Sequence, residues 1–305
     1  MFLTIFTASY NRTHTLKRLY ESLTKQTNDK FEWLVVDDGS TDGSYEFLLD
    51  LQKGGGPFVM HVYQQENSGK HVAVNRGLDV ARGDLFFIVD SDDYLPENSV
   101  DIIYRTFEEM PDSEDLIGIS GIKAYSRDRI VGTSFSGDRY LDMTNLDRMR
   151  YGVSGDRAEI YYTSVLKRNK FPVFECEKFM SEAVIWDKLA FEGGKLRFLN
   201  DILYYCEYQD TGLSGNIREV FLNNWEGYSY YVNMEIKYRK YFMKKLSILY
   251  AYIVLAIDDK DMDISAIEQK LSNAPRGLIR LAYITLPLYK KCLLQKQNRG
   301  SRFAA

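Results

Sequence analysis

Leu85-Phe86-Phe87-Ile88-Val89-Asp90-Ser91-Asp92-Asp93 sets five apolar residues directly against four polar ones. A short continuous apolar run suits a strand buried on both faces, and its abrupt end puts the acids on the loop that follows. Three runs upstream have the same form. Residues 3–8, 31–36 and 58–63 read as strands, and residues 16–23, 43–51 and 72–82 show helical spacing between them. Alternating strands and helices predict a largely parallel sheet covered on both faces, an α/β fold. In such sheets ligands gather at the carboxyl ends of the strands. The polar clusters fall there: residues 7–12 after the first strand, 37–40 after the second and 90–93 after the fourth.

Beyond Pro96 the pattern is more mixed. It offers an acidic helix over 99–110, a strand over 116–125, a helix over 181–192 and a strand over 196–200. From residue 217 the chain reads as helical, tyrosine-rich and charged, which predicts one domain over 1–216 and a helical extension over 217–305. No internal repeat is visible.

Charge and cysteine content narrow the function classes. With 39 lysines and arginines against 43 aspartates and glutamates, the chain has no global drive toward nucleic acid, and no nucleic-acid partner is expected. Cys176, Cys206 and Cys292 are too few and too scattered for a disulfide framework or a CxxC zinc site, which predicts a reducing, cytoplasmic setting. The apolar start has no basic region before it and reads as a buried strand rather than a secretory signal. No window reaches the ~20 apolar residues that span a bilayer.

Asp90-Ser91-Asp92 carries two carboxylates one residue apart. Magnesium and manganese favour oxygen ligands of this kind and keep phosphate oxygens in their shell. The same acids would serve equally as a solvated loop, so position at the ligand edge gives the motif its weight. Asp37-Asp38-Gly39-Ser40 reads both as a cap and tight turn and as a source of one acid, Asp38, for a base or ribose. Residues 7–12 offer amides, hydroxyls, an aromatic ring and a guanidinium. Lys70 is a cation for a diphosphate. A Walker A reading fails because His71 follows Gly69-Lys70 where Ser or Thr is required.

These segments, namely Thr4-Ile5-Phe6-Thr7-Ala8-Ser9-Tyr10-Asn11-Arg12, Val35-Val36-Asp37-Asp38-Gly39-Ser40, Asn67-Ser68-Gly69-Lys70 with Asn75-Arg76-Gly77, and Val89-Asp90-Ser91-Asp92-Asp93, together resemble family 2 glycosyltransferases in order and spacing. The resemblance implies a GT-A fold, with a Rossmann-like nucleotide-binding sheet and a mixed acceptor-side half. It also implies a nucleotide-sugar donor, a UDP-sugar by preference, and inversion at the anomeric carbon. Carried over position by position, it sets Thr7, Ala8, Tyr10 and Arg12 around the base and Asp38 on uracil or ribose. Asp90 falls near the ribose, and Ser91, Lys70 and Asn75 fall among the nucleotide-sugar contacts. Asp92 is the first candidate for a Mn2+ or Mg2+ cofactor, and Asp93 could share or take that role. The family's Glu-Asp pair before a helix corresponds to Glu182 and Ala183, so the resemblance leaves Glu182 as the candidate base for the acceptor hydroxyl, with another residue as the alternative if the missing Asp would have been the base. Its bland alternative is charge compensation at a helix N-terminus. The segment 208–214 corresponds to one that closes the donor site, with Gln209 where relatives often have histidine.

After Glu268 every charged residue is basic, and Leu278, Ile279, Leu281, Tyr283, Ile284, Leu286, Leu288 and Leu293 add an apolar component interrupted by Pro287. That composition suits a peripheral position on the cytoplasmic membrane, and equally a helix packed with a solvated basic face. The resulting expectation is a transferase acting on a saccharide or polyprenyl-linked acceptor in cell-surface polysaccharide synthesis. A sugar nucleotidyltransferase and a silent nucleotide-binding scaffold are the alternatives. The first would need a Gly-rich first loop, which residues 7–12 lack, and the second draws on Ala183.

Overall fold

The computed structural model describes residues 2–137, 139–207 and 216–300, with side chains described as far as residue 291. The chain divides into two compact units, residues 1–216 and 217–305.

The first unit opens with three strand–helix pairs: β1 (Leu3–Ser9) and α1 (Thr13–Thr24), β2 (Phe31–Asp37) and α2 (Ser44–Gly54), β3 (Val59–Gln64) and α3 (Lys70–Val80). Then follow β4 (Leu85–Ile88), α4 (Ser99–Glu108), β5 (Leu116–Ser126), β6 (Arg129–Ile130), β7 (Tyr140–Met143), β8 (Arg157–Tyr162), α5 (Thr163–Arg168), α6 (Ala183–Phe191) and β9 (Lys195–Tyr205). The sheet runs β3-β2-β1-β4-β8-β5-β9-β7, with β6 paired to β5. The first four strands are mutually parallel. β8 then enters antiparallel between β4 and β5, and β9 lies parallel to β5, so the second half is mixed.

Burial follows the strand period. Leu3 and Ile5 of β1 pack with Leu16 and Leu19 of α1, Trp33 and Val35 of β2, and Leu85 and Phe87 of β4 in one cluster. On the other side Phe6 stacks on Phe86, with ring centres 5.2 Å apart. Register aligns Ser9 with Asp37, and the fourth strand's acids follow on the same edge. The three polar loops foreseen in the sequence therefore share one edge of the sheet.

The second unit is helical: α7 (Ile217–Asn223), α8 (Trp225–Tyr238), α9 (Phe242–Asp258), α10 (Ile264–Lys270) and α11 (Arg276–Gly300). Its own core gathers Val232, Ile236, Leu249, Ile253, Ile279 and Ala282. Much of the tyrosine content serves this packing: Tyr228, Trp225 and Tyr252 form a ring cluster, and the Ser229 and Tyr252 hydroxyls lie 2.9 Å apart. Pro287 does not break α11, which runs through it. The proline lies on an exposed face, where water can satisfy the carbonyl that loses its helical donor.

Gly77 shows how closely α3 approaches the sheet. A Cβ built there would fall 2.2 Å from a ring carbon of Phe6, which is fully buried. Gly→Ala within a helix ordinarily stabilises by ~1 kcal/mol. Here overpacking outweighs that gain, and Gly77→Ala is expected to lower stability by about 1–3 kcal/mol. Urea unfolding should give a lower midpoint with an unchanged slope.

Candidate functional site

The edge is assembled by loop-to-loop hydrogen bonds. Asn11 sits in the left-handed region, with φ 54°, which turns the chain sharply after β1. Its amide donates to Ser40 Oγ and its side-chain oxygen accepts from Thr41 N, while Arg12 N donates to Ser44 Oγ. Asp38 N donates to Ser9 O at 2.7 Å. The Asp38 carboxylate accepts from Gln65 Nε2, Ser68 N and Gly69 N, all within 2.9 Å, and so pins the loop that leads into α3. Gly69 is required there, because a Cβ would lie 2.0 Å from Lys178 O. That contact brings the segment before α6 up to the first residue of α3.

Lys70, at the start of α3, reaches two acids from distant parts of the chain. Its Nζ lies 2.5 Å from Asp90 Oδ1 and 2.7 Å from Glu182 Oε1. Burial works against charge on Lys70, but Asp90 and Glu182 overcome it and hold the ammonium well above the usual lysine range. Burial also opposes the Asp90 carboxylate, and the charges of Lys70 and Lys123 outweigh it, holding that acid well below the usual carboxylate range.

Tyr204 of β9 supports the acid loop from behind. Its hydroxyl accepts from Asp90 N at 2.9 Å and donates to Asp93 Oδ2 at 2.7 Å, with Asp90 Oδ2 at 3.2 Å. Lys123 Nζ lies 4.5 Å from the centre of the same ring and 2.8 Å from Asp156 Oδ2. Glu207 N donates to Asp93 Oδ1 at 3.0 Å. Arg18 of α1 donates to the Asp92 carbonyl and pairs with Glu207.

The acids therefore have different roles in the geometry. Asp93 is buried with both oxygens engaged, and burial, then the charge of Asp90, push its carboxyl up to about 6. It is poorly placed to serve as a metal ligand, because its oxygens already hold Tyr204 and Glu207. Asp92 is different: its carboxylate is partly exposed, with Arg12 Nη2 at 3.9 Å. No group of three or more His, Cys, Asp or Glu among the described residues could hold a metal by itself. The donor set fits a cation bound by one carboxylate together with ligand oxygens, and does not fit an all-protein cage.

Of the remaining sequence candidates, Tyr10 is exposed, and Arg12 and Ala8 are half-buried at the end of β1. Ser91 is buried within the acid turn. Thr7 is fully buried and accepts from Trp33 Nε1 at 3.1 Å, so its side chain faces the core rather than the edge. Asn75 uses both ends of its amide on the Phe171 backbone, at 2.8 and 2.9 Å, which makes it a clamp between α3 and the following segment. The segment 208–214 lies outside the described residues. Tyr204, Lys123 and Arg18 escaped the sequence reading, although the apolar and aromatic run of residues 202–205 is a strand signal that could have marked Tyr204.

A family model for "Glycosyl transferase family 2" matches residues 4–161, more than half of the chain. The chain belongs to that family. Among curated relatives, the chain is 35% identical to glycosyltransferase GlyG of Streptococcus pneumoniae serotype 4 over 113 residues, 36% of each protein. It is 26% identical to GlyA of the same organism over 215 residues, 66% of this chain and 28% of that one. The chain thus spans about a third of the length of the curated relatives it matches. S. aureus TarS 1–349 in complex with UDP-GlcNAc superposes with a TM-score of 0.67 at 19% identity, covering 98% of this chain and 92% of TarS 1–349. A mannosyltransferase from Pyrobaculum calidifontis in complex with GDP-Man and Mn2+ gives 0.55 at 16%, covering 95% and 81%. These likenesses show the fold: a GT-A sheet followed by helices, as the family resemblance implied.

One further acid lies on the mixed half. Glu159 of β8 accepts from Asn145 Nδ2 at 2.5 Å, and burial pushes its carboxyl up to about 7 against that hydrogen bond. An acid whose folded pKa is raised loses stability as pH climbs from its unfolded value, ~4.3, toward 7, and the loss is complete above that. Glu159→Gln keeps the acceptor oxygen and removes the ionisation. It is expected to match the wild type near pH 4 and to exceed it by about 1–3 kcal/mol at pH 8, read from denaturant melts across that range.

Proposed function

We propose that the chain transfers a glycosyl group from a nucleotide-sugar, a UDP-sugar by preference, to a hydroxyl of a saccharide or lipid-linked acceptor, with inversion and with help from a divalent cation. The observation that carries this reading is Lys70 joining Asp90 and Glu182 at the carboxyl edge of the sheet, beside the open carboxylate of Asp92. Family membership supports the reaction class, and the UDP-GlcNAc complex of TarS supports the choice of donor.

In this reading the base of the nucleotide rests against residues 8–12, on a floor that Asp38 shapes by fixing residues 65–69. The donor diphosphate brings negative charge to Lys70 and Arg12. Lys70 then exchanges Glu182 for phosphate oxygens, which frees the Glu182 carboxylate. Glu182 takes the acceptor hydroxyl proton as the oxygen bonds to the anomeric carbon and the bond from that carbon to the diphosphate breaks. A cation held at Asp92, when bound, supplies further positive charge to the departing diphosphate. Ala183 removes the family's second acid, so the whole proton transfer rests on Glu182.

A peripheral position at the cytoplasmic membrane belongs to the same reading. No helix among the described residues is long and apolar enough to cross a membrane. Leu281, Ile284 and Leu288 form an exposed ridge on α11, bordered by Arg276, Arg280 and Lys291.

A panel of UDP-, GDP- and dTDP-sugars with Mn2+ or Mg2+ tests the proposal, read as nucleotide release and as thermal stabilisation. One nucleotide is expected to stabilise the protein in a metal-dependent way and one of its sugars to turn over. Glu182→Gln is expected to lower turnover by about 10²–10⁴-fold while donor binding persists. Asp92→Asn is expected to remove the metal dependence and leave the fold intact. Stabilisation by a nucleotide without turnover of any sugar would favour the silent-scaffold reading instead.

A further inference from the structure

α8 and α9 form an antiparallel hairpin, since Trp225 and Ser229 near the start of α8 meet Tyr252 in the second half of α9. The turn between them is Arg239-Lys240-Tyr241, and α9 then opens with Phe242-Met243-Lys244-Lys245. Tyr241, Phe242 and Met243 are 65%, 53% and 70% exposed. Three consecutive large apolar residues thus keep half or more of their surface in water, while Tyr238 before them is buried and Leu246 and Leu249 after them lie in the unit's core. Scattered exposed apolar residues are ordinary, but a contiguous trio at a helix corner marks a contact surface.

The charges around the trio identify the partner. Lys240 and Lys244 are exposed, Lys245 is half-exposed, and none of the three has a carboxylate partner among the described residues. Arg239, by contrast, is paired with Glu235 at 2.7 Å. No aspartate or glutamate occurs between Glu235 and Asp258. Three lysines bracketing an aromatic and thioether tip complement a surface that is anionic outside and apolar beneath. Against such a surface the lysines would lie at headgroup depth while Tyr241, Phe242 and Met243 would enter the acyl boundary. A basic protein groove or a second copy of this cationic corner lacks that complementarity, and like charges facing each other would repel.

We infer that the α8–α9 corner, residues 240–245, is the surface by which this chain docks on an anionic bilayer. This rests on the peripheral reading above and names the surface that produces it, separately from the ridge on α11.

Cosedimentation of the full chain with vesicles tests it, using phosphatidylcholine alone and phosphatidylcholine with a phosphatidylglycerol fraction. The wild type is expected to bind only the anionic vesicles and to release as salt is raised. Phe242→Glu is expected to weaken binding about ten-fold or more, and each lysine exchanged for serine about five-fold. The altered side chains are exposed, or half-exposed for Lys245, so circular dichroism should be unchanged. Binding by Phe242→Glu equal to that of the wild type, with loss in Ile284→Glu, would overturn the corner and leave the peripheral reading with α11. Failure of the wild type to bind either vesicle would overturn both. A wild type that sediments as a dimer and a Phe242→Glu variant that sediments as a monomer, with equal vesicle binding, would assign the corner to a second copy and overturn the inference.

Discussion

The ammonium of Lys70 touches two carboxylates that lie 92 positions apart in the chain, Asp90 and Glu182, and the arrangement of the edge depends on that bridge. All three side chains keep a third or more of their surface in water. Solvent therefore screens the attraction, and pairs of this exposure contribute only ~1 kcal/mol or less to stability. The bridge matters chiefly for position. It sets the end of β4, the start of α3 and the start of α6 within one hydrogen-bond radius. The surrounding structure makes the same approach by other means: Asp38 fixes the loop before Lys70, and Gly69 allows the Lys178 backbone to come close.

The parallel half of the sheet was legible because each strand there is an apolar run ended by a polar turn. Buried strands flanked by amphipathic helices leave that signature directly in sequence. The mixed half was not. β8 inserts antiparallel between β4 and β5, and nothing in a strand's own composition records which neighbour it will take. β9 was read only over residues 196–200, because the polar pair Asn200 and Asp201 divides its apolar residues, yet the strand continues to Tyr205 through register shifts against β5.

Side-chain direction explains the remaining gaps at the site. Motif spacing identifies a loop without saying which way each residue in it faces. Thr7 and Asn75 belong to the right segments, but one faces the core and the other clamps Phe171. Asp92 and Asp93 look interchangeable as neighbours, and the structure separates them by giving Asp93 a donor to each carboxylate oxygen, Tyr204 and Glu207 N. The basic, apolar character of the C-terminal unit was visible in composition. Which apolar residues remain in water became clear only once the helical core had taken its share.

Tyr204 has a consequence for the order in which this protein becomes competent. The residues it holds, Asp90 and Asp93, stand more than a hundred positions before it. A ribosome that has made only β1 to β4 has supplied every acid of the turn and the means to fold the first βα units. It has not yet supplied the phenol that takes the Asp90 amide and anchors Asp93. The donor side is thus encoded early and shaped late: until β9 joins the sheet, the growing chain carries the acid motif without the support that separates its outward carboxylate from its inward one.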